Sequence, residues 1–347
     1  MRFSLYTIPL IVLALVSCAK TEHTDPHPGA DVYVVGNQTI DGNPTTDAAR
    51  LWKNEKVVDL SSSTSNEFGI VAEYANAITL SGNDIYIGGS GLSTRNFLSG
   101  YNSTAKYWKN GVSVNLSSGQ TIAYAGSVVV VGTDIYVAGT ESTVTLRQTI
   151  AKYWKNGVPI SLTDSTQYAS ASAIAVSGSD VYVTGTEPDT ITFKNVAKYW
   201  KNGLPVRLTD GSSDAYAGSI FLNGADIYIA GADGNRAVYW KNNVPTYLTS
   251  GSSPSSAASI VVSGSDVYVA GNDDKTATYW KNGDPVTVGV NFFLQSIAVS
   301  DSDVYVAGYE SSTGGGTHAK YWKNNQPVDF GSSKTSSMAT AILVVKK

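Results

Sequence analysis

Hydrophobic positions in this chain fall into short runs, rich in Val, Ile, Tyr and Ala, that are broken by Gly, Asn, Ser and Asp. Runs of about four to eight such residues between turn formers predict β-strands. Around Trp200 the pattern predicts four of them: Ala171–Val176, Val181–Thr184, Val196–Lys201 and Pro205–Leu208. The first two join through Ser177-Gly178-Ser179-Asp180, the last two through Lys201-Asn202-Gly203. Both joints hold the Gly or Asn that a tight hairpin needs at positive φ. The runs are nearly continuous rather than alternating, which predicts sheets covered on both faces.

This four-strand unit recurs along the chain. All seven tryptophans, Trp52, Trp108, Trp154, Trp200, Trp240, Trp280 and Trp322, stand in the string Tyr-Trp-Lys-Asn, with Leu51 replacing the first Tyr. A second string, Asp-(Val/Ile)-Tyr-(Val/Ile)-x-Gly, starts at Asp31, Asp84, Asp134, Asp180, Asp226, Asp266 and Asp303 and alternates with the first. Successive Asp positions lie 53, 50, 46, 46, 40 and 37 residues apart, close to the period of propeller blades, about 40 to 50 residues. The chain enters the repeat at a second strand, Asp31 to Gly36, and leaves it at a first strand, Met338 to Val345. These halves complement each other. The expectation is an all-β fold over residues 31–347, a seven-bladed β-propeller of four-stranded blades, closed by pairing of the C-terminal first strand with the N-terminal second, third and fourth strands. Such a join leaves no free sheet edge.

The N-terminus breaks the pattern. Met1-Arg2 precedes a largely apolar, uncharged run, Phe3 to Ser17, that is too short to cross a bilayer as a helix and reads as a secretory signal over residues 1–17. It ends in Leu15-Val16-Ser17-Cys18, which resembles the bacterial lipobox; the resemblance implies cleavage before Cys18 and acylation of that residue. Cys18 is the single cysteine, so it has no disulfide partner within the chain. Several acyl chains on one residue would hold a protein firmly at a membrane. Ala19 to Ala30 is polar and carries Pro26 and Pro28, so residues 18–30 are expected to form the lipidated cysteine and a flexible tether. His23 and His27 on that tether are read as solvated.

Composition agrees with this reading and narrows the partners. With 42% hydrophobic and 15% charged residues the chain is too apolar for disorder. Removal of Arg2 with the signal leaves 23 basic against 28 acidic residues, a net charge of −5. That charge offers no basic field for a phosphate backbone, and nucleic acid is excluded as a partner.

The strings carry a resemblance. Asp84-Ile85-Tyr86-Ile87-Gly88-Gly89 resembles the kelch repeat, although the double Gly occurs once and the kelch Trp before the fourth strand is absent. Residues 31 to 345 are more similar to bacterial envelope lipoproteins built from YWKNG repeats, a family without assigned activity. The resemblance implies a propeller at the cell envelope, on the outer membrane, and implies no chemistry.

Candidate functional residues emerge from what does not repeat. The connections between first and second strands, and between third and fourth, hardly vary. The second-to-third connection does: from the last Gly of one string to the Trp of the next the spacing is 16, 19, 15, 15, 9, 9 and 14. A notch is therefore expected at the fifth and sixth units, and function usually sits on variable loops over a rigid core. Two residues past that Gly stand Glu141, Glu187, Asp233, Asp273 and Glu310. Lys152, Lys198 and Lys320 are placed to face the three glutamates in exposed cross-strand pairs. Val238 and Thr278 take the lysine's place in the other two units, which leaves Asp233 and Asp273, with Arg236 and Asp274 beside them, as unpaired ligand-binding candidates. A second set, Tyr74, Tyr124, Tyr216 and Phe293, stands ten residues before the first-turn Asp, where rings at a channel mouth could stack on sugars or anchor a peptide. The repeat Asp residues are expected to accept backbone N–H groups within their turns, and the Lys after each Trp to be solvated.

Enzyme signatures are thin. His318 is the one histidine outside the tether, no cluster has metal-ligand spacing, and no cofactor motif occurs. The expected function is a lipid-anchored, non-enzymatic envelope module that binds a glycan or protein. A structural scaffold for an envelope complex and a carboxylate-dependent glycan hydrolase or lyase are the alternatives.

Overall fold

The computed structural model describes residues 29–40, 47–60, 70–96, 100–142, 148–164, 168–312, 315–330 and 335–347. Cys18, the signal and all of the tether but Gly29 and Ala30 lie outside these residues. Every regular element among them is a β-strand. Strands β1 (Ala30–Thr39), β2 (Asp47–Lys53) and β3 (Lys56–Asp59) open the chain. Then come β4 (Ile70–Ser81), β5 (Asp84–Asn96), β6 (Gly100–Lys109) and β7 (Val112–Asn115), followed by β8 (Ile122–Val131), β9 (Asp134–Ser142), β10 (Thr149–Lys155) and β11 (Val158–Ser161). The unit around Trp200 is β12 (Ser170–Ser177), β13 (Asp180–Pro188), β14 (Asn195–Lys201) and β15 (Leu204–Arg207). Next are β16 (Ala215–Asn223), β17 (Asp226–Asp233), β18 (Arg236–Lys241) and β19 (Val244–Tyr247), then β20 (Ser255–Ser263), β21 (Asp266–Asp273), β22 (Thr276–Lys281) and β23 (Asp284–Val290). Strands β24 (Phe292–Ser300), β25 (Asp303–Ser311), β26 (Thr317–Lys323), β27 (Gln326–Asp329) and β28 (Ser337–Lys346) complete the chain.

Each unit forms an antiparallel meander in sequence order. The β4–β7 and β8–β11 meanders are joined by a single parallel bridge between Ser103 and Ile122. The remaining sheet runs β28-β1-β2-β3, with Val345 opposite Asp31 and Ser337 opposite Gln38. Strand β13 continues beyond its expected end at Thr184, as far as Pro188, because its pairing with β14 persists to Asn195. The hairpins between third and fourth strands place two residues at positive φ, as in Asn202 (51°) and Gly203 (83°). That is the backbone of a type I′ turn, and it explains the recurrent Asn-Gly.

Stability comes from sheet against sheet. Each Trp is buried against the preceding sheet, as Trp200 is against Tyr136 and Tyr153, and Trp52 against Tyr305 and Tyr321. The first strands of successive sheets lie side by side, and β28 packs on both β24 and β4. Side chains tie them together: Ser219 Oγ accepts the Ile260 N–H at 3.3 Å, Ser296 Oγ accepts that of Ile342 at 3.2 Å, and Thr340 Oγ1 donates to the Ala75 carbonyl at 2.6 Å.

Candidate binding face

The two ends of the sheets differ in chemistry. At the end with the tight hairpins, a four-residue clasp repeats. The Asn after Trp-Lys sits at positive φ, accepts the backbone N–H following the repeat Asp, and donates its amide to that Asp: Asn156 Oδ1 meets Ile135 N at 2.8 Å, and Asn156 Nδ2 meets Asp134 Oδ1 at 2.8 Å. Lys155 pairs with the second Asp134 oxygen at 2.8 Å while its Nζ lies 5.2 Å from the centre of the Tyr136 ring. The same clasp joins Asp180, Asn202, Lys201 and Tyr182, and recurs at Asp31, Asp84, Asp226, Asp266 and Asp303. One expectation is corrected here: the Asp takes side-chain donors because the turn N–H is already claimed by Asn. The Lys stays solvated, as expected, and is also held by charge and ring. These bonds from Lys and Asn (from Asn242 foremost at Asp226) hold all seven carboxyls below their usual range.

The opposite end carries the variable loops and the first-strand aromatics. Their position has a local cause. In every sheet the first strand holds a bulge just past this site, and the last Gly of the Asp-x-Tyr string lies against the carbonyl of the site residue: Gly89 under Tyr74, Gly139 under Tyr124, Gly231 under Tyr216, Gly308 under Phe293. A Cβ on that Gly would collide with the carbonyl, so the bulge requires glycine. The same site holds Ser170, Ser256 and Met338 in the other sheets. Tyr124 is 44% exposed and Tyr216 38% exposed. The Tyr216 ring lies over Gly218, 3.5 Å from where a Cβ would be, and its hydroxyl faces Ser256 of the next sheet. Tyr74 is half-buried; burial, with lesser contributions from Asp47 and Tyr124, raises its phenol above the ordinary value. Phe293 stacks on Tyr309, with centroids 5.2 Å apart and planes at 22°, so one face of its ring is already covered.

The acids are engaged differently from expectation. Asp233 is not unpaired: its carboxylate accepts Arg236 at 2.8 Å, Tyr247 Oη at 2.8 Å and Ser213 Oγ, and the Arg236 guanidinium stacks 3.7 Å from the centre of the Tyr247 ring. Arg236 is free to reach Asp233 because the β17–β18 connection is only Gly234-Asn235. Asp273, exposed, accepts Ser255 Oγ at 2.8 Å. Asp274 forms the next turn at φ 54° and donates its N–H to the Pro254 carbonyl. The ion pairs Lys152–Glu141, Lys198–Glu187 and Lys320–Glu310 form as expected. Two of them are not exposed, however: Lys152 and Lys198 are buried and Thr121 closes on Glu141 at 2.7 Å, whereas Lys320 and Glu310 stay partly open to solvent. A further pair escaped the spacing argument. Lys106, only 3% exposed at its side chain, is met at 2.7 Å by Glu73 of the first strand, because Gly91 occupies the place of the usual acid. Among the described residues no group of three His, Cys, Asp or Glu side chains could hold a metal ion.

No protein-family model matches the chain, and neither does any curated protein. Solved structures do. The β-propeller domain of the Trilobed protease from Pyrococcus furiosus aligns with a TM-score of 0.50 at 9% identity over 88% of this chain and 93% of its own. The likeness shows the fold: a β-propeller. That domain is described as having an open velcro topology, whereas here β28 pairs with β1. A chain of the Nidogen/Laminin complex aligns at 10% identity and a TM-score of 0.46, over 90% of this chain and 98% of its own. The Trypanosoma rangeli sialidase aligns at 10% identity and a TM-score of 0.44, over 80% and 54%.

Proposed function

We propose that this chain is a lipid-anchored protein of the bacterial cell envelope, akin to the YWKNG-repeat lipoproteins, that binds a glycan or protein ligand without catalysis. Its propeller is read as seven blades closed by β28 on β1, which the mutual packing of the first strands supports. The observation that carries the reading is the set of first-strand rings. A bulge-forming glycine backs the same site in successive sheets, and two of the rings displayed there, Tyr124 and Tyr216, remain open to solvent. Large apolar rings with a polar tip, interleaved with the hydroxyls of Ser170 and Ser256, suit stacking on a sugar or holding a peptide. The acids support the non-enzymatic reading, because Glu141, Glu187, Asp233 and Glu310 each hold donors of their own. Ala30 enters β1 beside the tight hairpins, and Lys347 N donates to the Gly29 carbonyl there. A tether from Cys18 would therefore join the sheets at the clasp face, at the end opposite the rings.

The test is a glycan array probed with residues 19–347 beside the Tyr124→Ala/Tyr216→Ala and Asp273→Ala variants. Glycan binding that the double variant loses, at unchanged melting temperature, supports the reading. Binding that survives in both variants removes the site assignment, and no binding to any glycan moves the ligand to protein. Labelled palmitate in producing cells, compared with Cys18→Ser, tests the anchor.

A further inference from the structure

The connection from β13 to β14 is the most elaborate described loop on the ring-bearing face, and it plays no part in the aromatic site. Six residues, Asp189 to Lys194, project from the sheet, and two of them are large and apolar: Ile191 is 83% exposed and Phe193 is 81% exposed. Such a tip would ordinarily be a floppy hairpin. Here it is braced on three sides. Asp189 Oδ1 accepts the Ile191 N–H at 2.9 Å and that of Thr192 at 3.0 Å, and the Asp189 carbonyl accepts the Phe193 N–H at 3.0 Å. Arg207, from the outer strand β15, reaches Asp189 Oδ2 at 3.0 Å and the Asp210 carbonyl at 3.0 Å. Thr192 Oγ1 donates to the Gly211 carbonyl at 2.8 Å, while Asp214 takes the Asn195 N–H and Lys194 Nζ, each at 3.0 Å. The backbone bonds of Thr192 and Ile191, and then Arg207, hold the Asp189 carboxyl down at about 2. Phe193 itself stands at φ 57°, a conformation that costs a β-substituted residue energy unless its surroundings enforce it.

We infer that Ile191 and Phe193 form a preorganised knob that docks into an apolar pocket of a partner protein. Large exposed apolar side chains on a loop fixed in advance lose little further freedom on binding, which is how hot-spot anchors gain affinity. The chemistry selects the partner class. Neither side chain has a hydrogen-bonding tip, and isoleucine has no ring face to offer a sugar, so a glycan would gain little here. The surrounding charges neutralise one another as Arg207–Asp189 and Lys194–Asp214, which leaves no basic patch to draw anionic lipid.

The experiment replaces Phe193 by the photo-crosslinker p-benzoylphenylalanine in the full-length chain within producing cells, with Lys275 on the two-residue β21–β22 hairpin, two sheets away on the same face, replaced as the control. One discrete protein adduct at 193, absent at 275, is expected. The purified captured protein should then bind the chain, with affinity falling roughly 30-fold in the Ile191→Ser/Phe193→Ser variant at unchanged melting temperature. No adduct beyond the control, or an affinity that the double variant leaves intact, overturns the proposal. Vesicles of phosphatidylethanolamine and phosphatidylglycerol are offered to residues 19–347, which retain every described strand. Partition that the double variant abolishes would overturn it in favour of a membrane contact. Glycan binding through Tyr124 and Tyr216 is read separately, so the two sites can fail independently.

Discussion

The two faces of this propeller are built from the same strands and obey opposite rules. On the clasp face every sheet repeats one arrangement of Asp, Asn, Lys and Tyr, and each polar group of the arrangement is satisfied by another. On the loop face the described connections range from the single residue Asn291 to the seven residues Leu208–Asp214, and side chains such as Tyr124 and Phe193 are left without cover. A scaffold constraint acts on each blade alike, because each hairpin meets the same geometry. A ligand meets only some blades. Repetition therefore marks structure, and departure from it marks surfaces that answer to something outside the fold.

This contrast can be broken from the structural side first. Gly231→Ala should have the largest effect, because its Cβ would enter the Tyr216 carbonyl; overpacking of this kind costs about 3 kcal/mol, read as a lowered midpoint in urea. Glu73→Ala should follow. It strands Lys106 between sheets, and removing one partner of a buried pair costs about 3 kcal/mol. Glu73→Gln, which can still accept a hydrogen bond, should recover part of that loss. Acid should act on the clasp face as a whole. Its seven carboxyls titrate below their unfolded range, so their contribution is present above about pH 4 and is lost as pH falls through the lowered values. The melting temperature should fall below about pH 4, and unfolding there should take up protons; a flat profile would disconnect the clasp from stability. Tyr124→Ala should be the mildest, within about 0.5 kcal/mol of wild type by thermal melt, because its ring faces solvent.

The aromatic site was legible in part. Tyr74, Tyr124, Tyr216 and Phe293 stand at one spacing from the turn Asp, and that spacing shows that they share a site on successive first strands. It does not show which rings stay open. Phe293 is taken up by Tyr309, which belongs to a different strand and a different string. Asp233 was misread for a similar reason: the absence of a lysine at Val238 hid Arg236, three residues along a turn short enough to fold back. Ile191 and Phe193 carried no repeat signature at all, and their alternation with Thr190 and Thr192 reads as more strand.

By itself the sequence determined the strands, the hairpin turns, their order in each sheet and the unit that repeats. These follow from local backbone preference and from a hydrophobic pattern that each unit carries whole. Only the tertiary structure decided which charges are enclosed, which carboxylates are already spoken for and which rings face water. Those outcomes depend on side chains that meet across strands distant in sequence, as Lys106 of β6 meets Glu73 of β4, or across loops whose lengths differ. Burial and pairing are properties of such neighbours, and spacing along the chain does not encode them.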